Sequence, residues 1–546
     1  MDRQEVQSNN YWSSTTYAGN TNNAWNVNMN NGNVNNDNKD NNNYVWPVRS
    51  DNDALRLFSF ENIYRPHYLK CRKNKRGTVN ALKFEMNCEE NLIDLQRELV
   101  DRTYYPSRSV CFMATKPKLR EIFAADFRDR IAHHILVDYL ERIWEPKFIF
   151  DSYACRKNKG IHLAVKRLQG FLRKVTRNGS RQAFYLQLDI KNFFMSIDKD
   201  ILYQIIADKI RDESILWLAR ILIYHNCTKD YILKGDMDYL RKIAPQKSLF
   251  YTMSRKGLPT GNLSSQFFAN LYLNELDQFV KHRLKCGYYL RYCDDFVMLS
   301  EKRDRLIKWK AEVERFLAER LELRLNEKRE FLQPVSNGIN FLGYIVRRNY
   351  TLVRKRVVNN LRSRLSDFER RLIRKDHPPY VKVIYDYPAL ERLRATLASY
   401  FGHFKWADSY RLRMRLMKRY GFLKRFFSLK DGRITENYKV PGNIPSLRLQ
   451  YRYFKTRFSE DVLLFQVGSH YEFFEDDSDV AGMLGLKKIH KSSTRNVKYG
   501  FPARHEKAFI DRIRGCGRSV TVVGEEDRYL TRVKERLPKY SLVLQQ

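Results

Sequence analysis

Two adjacent aspartates, Asp294 and Asp295, lie in the segment YYLRYCDDFVMLS (288–300), between two apolar and aromatic-rich runs. Runs of this kind predict a β-hairpin that carries both carboxylates at its turn. An ordinary hairpin turn takes Asp-Gly or Asn-Gly, and two neighbouring acids repel each other with no structural gain. A divalent cation would relieve this repulsion, so the pair indicates a metal site.

A third acid, Asp189, ends the alternating segment FYLQLD (184–189). The alternation predicts a strand with Asp189 at the end of its more polar face. An isolated aspartate at a strand end is commonly a turn residue or a helix N-cap. Together with the downstream pair, it suits a site for two Mg²⁺ ions, which prefer carboxylate and phosphate oxygens. Two such ions about 4 Å apart can activate an attacking hydroxyl and stabilise a leaving pyrophosphate.

The composition of the chain points to a nucleic-acid partner. Its 546 residues suffice for roughly two to four domains. Lys and Arg total 100 against 62 Asp and Glu, a net charge of +38, and this one-sided surplus predicts a polyanionic partner. Aromatic residues make up 14% of the chain, which fits because bases stack on aromatic rings.

The eight cysteines are scattered and form no CxxC pair, which argues against a cysteine zinc site and against a disulfide framework. Reduced thiols in a cytosolic protein are the simpler interpretation. The sequence contains no apolar run long enough to span a bilayer, and its N-terminus lacks a signal-peptide core. We therefore expect a soluble, cytoplasmic protein with no membrane partner.

The composition and the residue patterns change along the chain, and these changes predict its domains. Residues 1–53 are Asn-rich and of low complexity, so we expect them to be disordered or weakly ordered. A globular composition begins near Leu55. The turn-rich segment 431–445 predicts a linker, and the strand and helix patterns after it predict a small α/β domain over residues 446–546.

Two helical stripes precede the linker. Leu361 and Leu365 recur at helical spacing, as do Leu412 and Leu416, and arginines flank both stripes. A solvated charged face would explain one such helix. Two in one region, without matching acids, favour a surface that grips a nucleic-acid backbone.

Several motifs together resemble the reverse transcriptases. LDIKNFF and YCDD resemble the catalytic boxes of that family, and KPKLREI resembles its triphosphate-gripping fingers segment. SYACRKNKGIHLA, GLPTGNLSSQFFAN, LNEKRE and FLGY resemble further family blocks, all in the family's order. The resemblance implies an α+β right-hand polymerase, with fingers and palm over 54–345 and a helical basic thumb over 346–430, followed by the small α/β C-terminal domain.

The resemblance also assigns the metal site. Asp189, Asp294 and Asp295 would be the catalytic acids. With the Ile190 carbonyl they would hold two Mg²⁺ ions, with Mn²⁺ as an alternative.

Further positions are implied to contact the incoming nucleotide. They are Lys116, Arg120, Phe194, Thr260, Gly261, Gln266 and Lys328. Lys116 and Arg120 would bind the triphosphate, and Phe194 would be an aromatic gate against a ribose 2′-hydroxyl, with core packing as its alternative. Lys328 would assist as general acid for pyrophosphate.

The block TGNLSSQ (260–266) narrows the resemblance. Its GxxxSQ pattern is similar to the reverse transcriptases of diversity-generating retroelements, although those usually carry an aliphatic residue where this chain has Thr260. Such enzymes copy a template RNA into cDNA with errors at adenines, and the cDNA replaces a variable repeat in a target gene. The implied partners are template RNA, cDNA, deoxynucleoside triphosphates and an accessory variability protein, in a bacterial, archaeal or phage-encoded system.

The two ends of the chain resemble other proteins. The asparagine-rich start resembles a translated template repeat of such an element, with a disordered tail as the alternative. LLFQVGSHYEFFEDD and YGFPARHEKAFIDRIRGCGRSVTVVGEE resemble the mismatch-sensing N-terminal domain of MutS. That family wedges the Phe of a Phe-x-Glu motif beside a mispaired base, and the aligned residues here are His470 and Glu472.

Two other functions remain open at this point. One is an intron-type or antiphage-defence reverse transcriptase, although an intron enzyme often carries a Cys-paired endonuclease domain. The other is a catalytically inactive RNA-binding scaffold, against which the presence of all three acids argues.

Overall fold

The computed structural model describes residues 10–16, 22–28, 34–38, 57–73, 75–115, 118–430, 433–444, 446–474, 478–487, 497–530 and 532–545. Lys116, assigned above to the triphosphate, lies outside these ranges, as do Leu55 and most of the asparagine-rich segment. Within them, no helix has both the length and the apolarity that crossing a membrane requires.

The described parts of the asparagine-rich segment form a three-stranded antiparallel sheet in the order β1-β2-β3. The strands are β1 Asn10–Thr16, β2 Asn23–Asn28 and β3 Val34–Asn38. The expectation was a disordered or weakly ordered segment, and it did not include these three strands. Trp25 and Val27 alternate with asparagines, and this pattern favours a strand despite the turn preference of asparagine.

Helices and short strands alternate between residues 57 and 353. The helices are α1 Phe60–Asn62, α2 Leu69–Arg72, α3 Val79–Met86, α4 Cys88–Val100, α5 Phe127–Trp144, α6 Ile161–Val175, α7 Phe193–Ser196, α8 Lys199–Ala207, α9 Glu213–Tyr224, α10 Met237–Arg241, α11 Leu263–Gln278 and α12 Arg303–Leu321. The strands are β4 Ser109–Ala114, β5 Arg120–Ala124, β6 Phe184–Asp189, β7 Tyr231–Lys234, β8 Tyr289–Tyr292, β9 Asp295–Ser300, β10 Phe331–Pro334, β11 Ile339–Phe341, β12 Tyr344–Val346 and β13 Thr351–Val353.

The palm is an antiparallel sheet in the order β10-β6-β9-β8, and both of its faces are covered. Leu186 and Met298 lie in the largest hydrophobic core, which includes residues of α5 and α11. Tyr185 and Val297, on the alternate positions, lie in a second core with residues of α6. A sheet buried on both faces explains why β9 reads as a continuous apolar run, and it makes the end of the sheet a rigid platform.

The fingers contain the sheet β5-β4-β7, in which β4 pairs antiparallel with β5 and parallel with β7. A loop of the palm hydrogen-bonds to this sheet, because the Phe123 N–H donates to the Thr260 carbonyl at 2.9 Å. The small sheet β11-β12-β13 follows the palm and leads into the next region.

The region from residue 355 to residue 436 contains the two predicted stripes. Leu361, Leu365 and Leu416 are buried, whereas Arg362 and Arg411 are exposed, which confirms both stripes. The elements are α13 Lys355–Leu372, β14 Ile373–Lys375, β15 Tyr380–Ile384, α14 Tyr387–Phe404, α15 Tyr410–Arg419, α16 Leu423–Phe426, β16 Phe427–Lys430 and β17 Arg433–Glu436. The thumb is therefore not purely helical, since two strand pairs interrupt its helices.

The C-terminal domain is the predicted mixture of helices and strands. Its elements are α17 Leu447–Arg457, β18 Asp461–Val467, β19 His470–Phe474, α18 Ser478–Met483, β20 Val497–Pro502, α19 Glu506–Gly515, β21 Ser519–Leu530 and β22 Val533–Leu544. These strands join two thumb strands in one seven-stranded sheet, in the order β14-β15-β22-β21-β18-β19-β20.

The boundary predicted at 431–445 needs correction. β17 lies within that segment and pairs with β16, and Tyr438 and Val440 are only 1% and 2% exposed. The turn formers suggested a linker, but the apolar side chains between them pack into a core that also contains thumb and C-terminal residues. The Arg425 guanidinium, on α16, donates to Asp461 and Thr521 of the C-terminal sheet. The thumb and the C-terminal domain are thus packed as one unit.

Candidate active site

The three aspartates identified from the sequence lie at one end of the palm sheet. Tyr292 at the end of β8 pairs with Asp295 at the start of β9, so Cys293 and Asp294 form a two-residue turn. Across the neighbouring pair of strands, Asp189 lies opposite Asp295. Directly opposed residues point to the same face, with Cβ atoms about 5 Å apart. The three carboxylates therefore lie near one another, and the charge of Asp189 acts on both Asp294 and Asp295.

Arg291, to which no predicted role was attached, holds this turn in place. Its side chain is fully buried, with Nη2 2.6 Å from Oδ2 of Asp277 on α11. Its Nη1 donates to the Cys293 carbonyl at 3.1 Å, and further N–H groups reach Asn270 and Ser152. Because Cys293 has the unfavourable φ of +57°, the turn needs such support. An arginine inside an apolar strand was the available signal, since a buried charge must be paired.

Two of the three carboxylates are held by hydrogen bonds. The Gln187 amide donates to both oxygens of Asp295, at 3.0 and 3.3 Å. Asp189 accepts from the Asn326 amide at 2.9 Å and from Arg329 Nη1 at 3.0 Å. Asn326 and Arg329 belong to the LNEKRE segment, so that block closes over Asp189 from the side opposite the hairpin.

The electrostatics of the cluster favour a cation. Burial, together with the charges of Asp189 and Asp294 and against the lowering effect of the Gln187 hydrogen bond, raises the pKa of Asp295 to about 7. Burial and the charge of Asp189 also raise the pKa of Asp294. Acids whose proximity raises their own pKa values gain from a divalent ion, because it removes both the repulsion and the desolvation cost of the charged forms.

The donor set fits such an ion, although the side chains do not converge on one as they stand. No three His, Cys, Asp or Glu side chains in the described ranges are arranged to hold a metal. The hydrogen bonds to Gln187 and Arg329 explain this. Asp189 must exchange the Arg329 guanidinium, itself 48% exposed, for a metal ion before the three carboxylates can share one.

Cations surround the cleft in front of the aspartates. Partial burial together with the charges of Arg329, Arg120 and Lys247 lowers the pKa of Lys118, which shows that these groups lie close together. Arg120 also acts on Asp294. Arg120 was predicted to bind the triphosphate, whereas Lys118 and Lys247 were missed. Lys118 lies in the same KPKLREI motif, but Lys247 reaches the cluster only through the fold.

The other residues predicted to contact the nucleotide or the metal differ in their burial and in their contacts. Phe194 is half-buried, packs edge-on against Phe193 with ring centroids 5.5 Å apart, and lies against the largest hydrophobic core, as its core-packing alternative expects. Gln266 and Lys328 are exposed. Ile190 is buried, and its N–H donates to the Asp294 carbonyl at 3.2 Å, which ties the first aspartate's strand to the turn.

The loop with Thr260 and Gly261 contacts the fingers. The Thr260 hydroxyl donates to the Glu121 carbonyl in β5 at 2.6 Å. Gly261 has φ +133°, and a Cβ there would lie 2.6 Å from the Phe123 carbonyl, so only glycine allows this approach. This position of Gly261 is explained by packing of the loop against β5.

His470 and Glu472 lie on a second hairpin, in the C-terminal domain. Val467 pairs with His470 across a two-residue turn of Gly468 and Ser469. His470 is exposed, and the Ser469 hydroxyl lies 3.0 Å from its Nδ1. Glu472 is half-buried further along β19. The imidazole thus lies at a solvent-facing tip, where a stacking residue would be needed.

Three family models match parts of the chain. Residues 114–346 match the model described as reverse transcriptase (RNA-dependent DNA polymerase). Residues 445–537 match MutS domain I, and residues 2–49 match the Lcl C-terminal domain. Together with the palm geometry, the first match makes this part of the chain the domain of an RNA-directed DNA polymerase with a right-hand fold.

Individual relatives agree with these matches. Protein YkfC of Escherichia coli (strain K12) is 24% identical over 52% of this chain and 78% of its own length. The group II intron-encoded protein LtrA of Lactococcus lactis subsp. cremoris is 25% identical over 54% of this chain and 58% of its own length. The DNA mismatch repair protein MutS of Thermus caldophilus is 35% identical over 16% of this chain, but only 11% of MutS is covered.

Proposed function

We propose that this protein copies a template-repeat RNA into adenine-mutagenised cDNA for the diversification of a target gene. The observation that carries the polymerase step is the register of β6 and β9, which sets Asp189 opposite Asp295 beside the turn residue Asp294. A primer 3′-hydroxyl and an incoming deoxynucleotide would meet above this cluster. We place the activity in the cytoplasm of a bacterium or archaeon, or of a phage-infected cell.

The residues around the cluster have distinct roles in this proposal. Asp189, Asp294, Asp295 and the Ile190 carbonyl would hold two Mg²⁺ ions, or Mn²⁺, which supply charge neutralisation for the attacking and leaving oxygens. Arg120 and Lys118 would bind the triphosphate, and Lys247 adds positive charge beside them. Phe194 would exclude a 2′-hydroxyl, and Lys328 would donate a proton to pyrophosphate.

Two observations support the mutagenic role. The Thr260 hydroxyl is engaged by Glu121 rather than aimed at the cleft, so this side chain gives little support to a nascent base pair. The match of residues 2–49 to a C-terminal protein domain is what translation of a template repeat would give, because that repeat copies the end of the variable gene. An accessory variability protein and the product cDNA would be the further partners.

An error spectrum tests the proposal. The full chain is supplied with a primed RNA template, deoxynucleotides and Mg²⁺, and the cDNA is sequenced. We expect extension with misincorporation concentrated opposite template adenines. The Asp294→Asn protein is the matched control for contaminating polymerase. Extension with errors spread evenly over the four template bases would contradict the mutagenic role and leave the polymerase role standing.

An intron-type reverse transcriptase is the second candidate, favoured by the likeness to LtrA. It predicts accurate copying of all four template bases. The same sequencing experiment therefore separates the two functions. An absence of extension under these conditions would favour the inactive RNA-binding scaffold.

A further inference from the structure

A basic cavity lies at the end of the palm that is remote from the aspartates. It has a volume of about 280 Å³ and is bounded by the segment after α6, the residues before β6 and the turn between β12 and β13. Ala183, immediately before β6, lines it, whereas Asp189 ends that strand. A strand of this length separates the two places by roughly 20 Å. The cavity is therefore distinct from the polymerase cleft.

The cavity is lined by cationic and aromatic side chains. Arg181, Arg347, Arg348, Gln182 and Tyr350 are among its lining residues, all of which lie in the described ranges, and none of them is acidic. Arg181 pairs with Glu301 at 2.8 Å, which leaves Arg347 and Arg348 as the guanidinium groups for a ligand. Exposed Arg173, Lys174 and Arg177 lie next to it at the end of α6 and extend the positive charge beyond its rim.

The guanidinium groups are held in place before any ligand arrives. Arg347 Nη1 donates to the Ser336 carbonyl at 2.7 Å, and Arg348 Nε donates to the Asn349 side chain at 3.2 Å. Arg348 also lies against Gly179, where a Cβ would be only 1.1 Å from Nη1. Fixed side chains lose little entropy on binding, which is how a shallow cavity gains affinity for a small anionic unit.

The chemistry fits one nucleotide of a nucleic-acid strand. Guanidinium groups bind phosphate through parallel N–H donors. A base can stack on the Tyr350 ring, which is 41% exposed. The volume admits about one nucleotide rather than a duplex. The cations beyond the rim continue along a path that a free mononucleotide would not need.

We propose that this cavity binds an unpaired nucleotide of single-stranded RNA, with its phosphate on Arg348 and Arg347 and its base against Tyr350. The inference rests on the proposed function in one respect, because an enzyme that copies RNA must hold template outside its cleft. It adds an anchoring site that does not take part in the polymerase reaction.

Binding of a labelled, unstructured 20-nucleotide RNA to the full chain tests this. We expect Arg348→Gln and Tyr350→Ala each to weaken binding about fivefold, and Arg348→Gln to lower the salt dependence by about one phosphate contact. Arg320→Gln, which removes an exposed arginine on α12 away from the cavity, should change affinity less than twofold. Tyr350→Phe keeps the ring and should bind as the parent does.

The controls separate this proposal from the polymerase proposal. RNA binding is also measured with Arg348→Gln and Tyr350→Ala introduced into the Asp294→Asn protein. The two substitutions should weaken RNA binding there by the same factors, even if that protein extends no primer. Losses no larger than that of Arg320→Gln would overturn the anchoring site. Equal binding by Tyr350→Ala and Tyr350→Phe would overturn the stacking arrangement, even if Arg348→Gln misfolds. If AMP binds at the cavity while Arg348→Gln and Tyr350→Ala leave the RNA affinity unchanged, the cavity would be a site for free nucleotides. That result would overturn the RNA proposal.

Discussion

Two hairpins in this molecule share one geometry and differ in what holds them. In the palm, Cys293 and Asp294 form the turn, and in the C-terminal domain Gly468 and Ser469 do. The first turn residue has nearly the same φ in both, +57° for Cys293 and +59° for Gly468. Glycine adopts this conformation at no steric cost, whereas cysteine does not.

The difference shows where the fold stores strain. The palm hairpin needs Arg291, fully buried, to hold the Cys293 carbonyl, and its acids have raised pKa values. The C-terminal hairpin has a relaxed turn and an exposed His470 at the position that the resemblance to MutS aligns with the Phe of the Phe-x-Glu motif. Strained turns persist only when their surroundings fix them, and they cluster at functional sites, which agrees with the catalytic role proposed for the palm hairpin.

The largest effect is expected from a substitution that removes a carboxylate from the palm hairpin. Asp294→Asn should reduce primer extension to background, because the amide cannot help hold a divalent ion. RNA affinity should stay within about threefold, since basic surfaces away from the turn bind the backbone. Primer extension and filter binding measure the two quantities. Robust extension by this variant would remove Asp294 from the site.

The next largest effect is expected from substitutions in the buried Arg291–Asp277 pair that supports the palm hairpin. Arg291→Met or Asp277→Leu alone should cost about 3–5 kcal/mol of stability, because each leaves an unpaired buried charge. The double variant should recover much of that stability but not the activity, since nothing then holds the Cys293 carbonyl. Chemical denaturation and primer extension are measured in parallel. Full activity in a stable double variant would show that Arg291 only balances charge.

A smaller effect concerns the loop between palm and fingers. Thr260→Gln should improve accuracy opposite template adenine, because glutamine is long enough to reach the nascent pair. Thr260→Val is the matched control, since it removes the hydrogen bond to Glu121 without adding reach. Sequenced cDNA gives the error rates. Equal adenine error rates in Thr260→Gln and the parent would exclude this residue from the explanation of infidelity.

The C-terminal hairpin should respond weakly to substitution. Binding of the full chain to matched and mismatched duplexes should show a preference of a few-fold for the mismatch, lost in His470→Ala and increased in His470→Phe, because a phenyl ring is the larger wedge. Glu472→Gln tests the polar contact to the displaced base. No preference in any of these proteins would mean that the domain has kept the fold without mismatch sensing.

The smallest effect is expected at the asparagine-rich segment. Its described strands hydrogen-bond to one another as a separate sheet. Removing residues 2–50 should therefore leave extension of a generic primed template and the melting temperature nearly unchanged. In the proposed diversity-generating element, synonymous adenine-poor codons should reduce diversification while the protein stays identical. A truncated protein that melts early would show that the segment works as polypeptide.

Local patterns were enough to predict the acids and their hairpin. Asp189, Asp294 and Asp295 follow alternating or apolar strands, and such periodicity is readable in a short window. The polymerase fold followed from the order of the motifs. Trp25 and Val27 carried the signal of the N-terminal strands, but the abundance of asparagine obscured it.

Pairings between distant residues could not be predicted. Arg291 meets Asp277 on a helix and Ser152 on another segment, and Lys247 joins the cations only through tertiary packing. The segment 431–445 looked like a linker because its turn formers are local, whereas the contacts of Tyr438 and Val440 are not. Sequence windows report backbone preference and periodicity, but not which surfaces meet.

The pairing of β15 with β22 has a consequence for any attempt to divide the molecule. Tyr380 pairs with Leu544 and Ile384 with Tyr540, so a thumb strand depends on the last strand of the C-terminal domain. A polymerase truncated before residue 446 would leave β15 with unsatisfied N–H and C=O groups along an open sheet edge. Such edges recruit other chains. Removal of the MutS-like domain should therefore yield aggregates rather than a smaller enzyme, and the sheet cannot close during synthesis until more than a hundred residues have followed β15 from the ribosome.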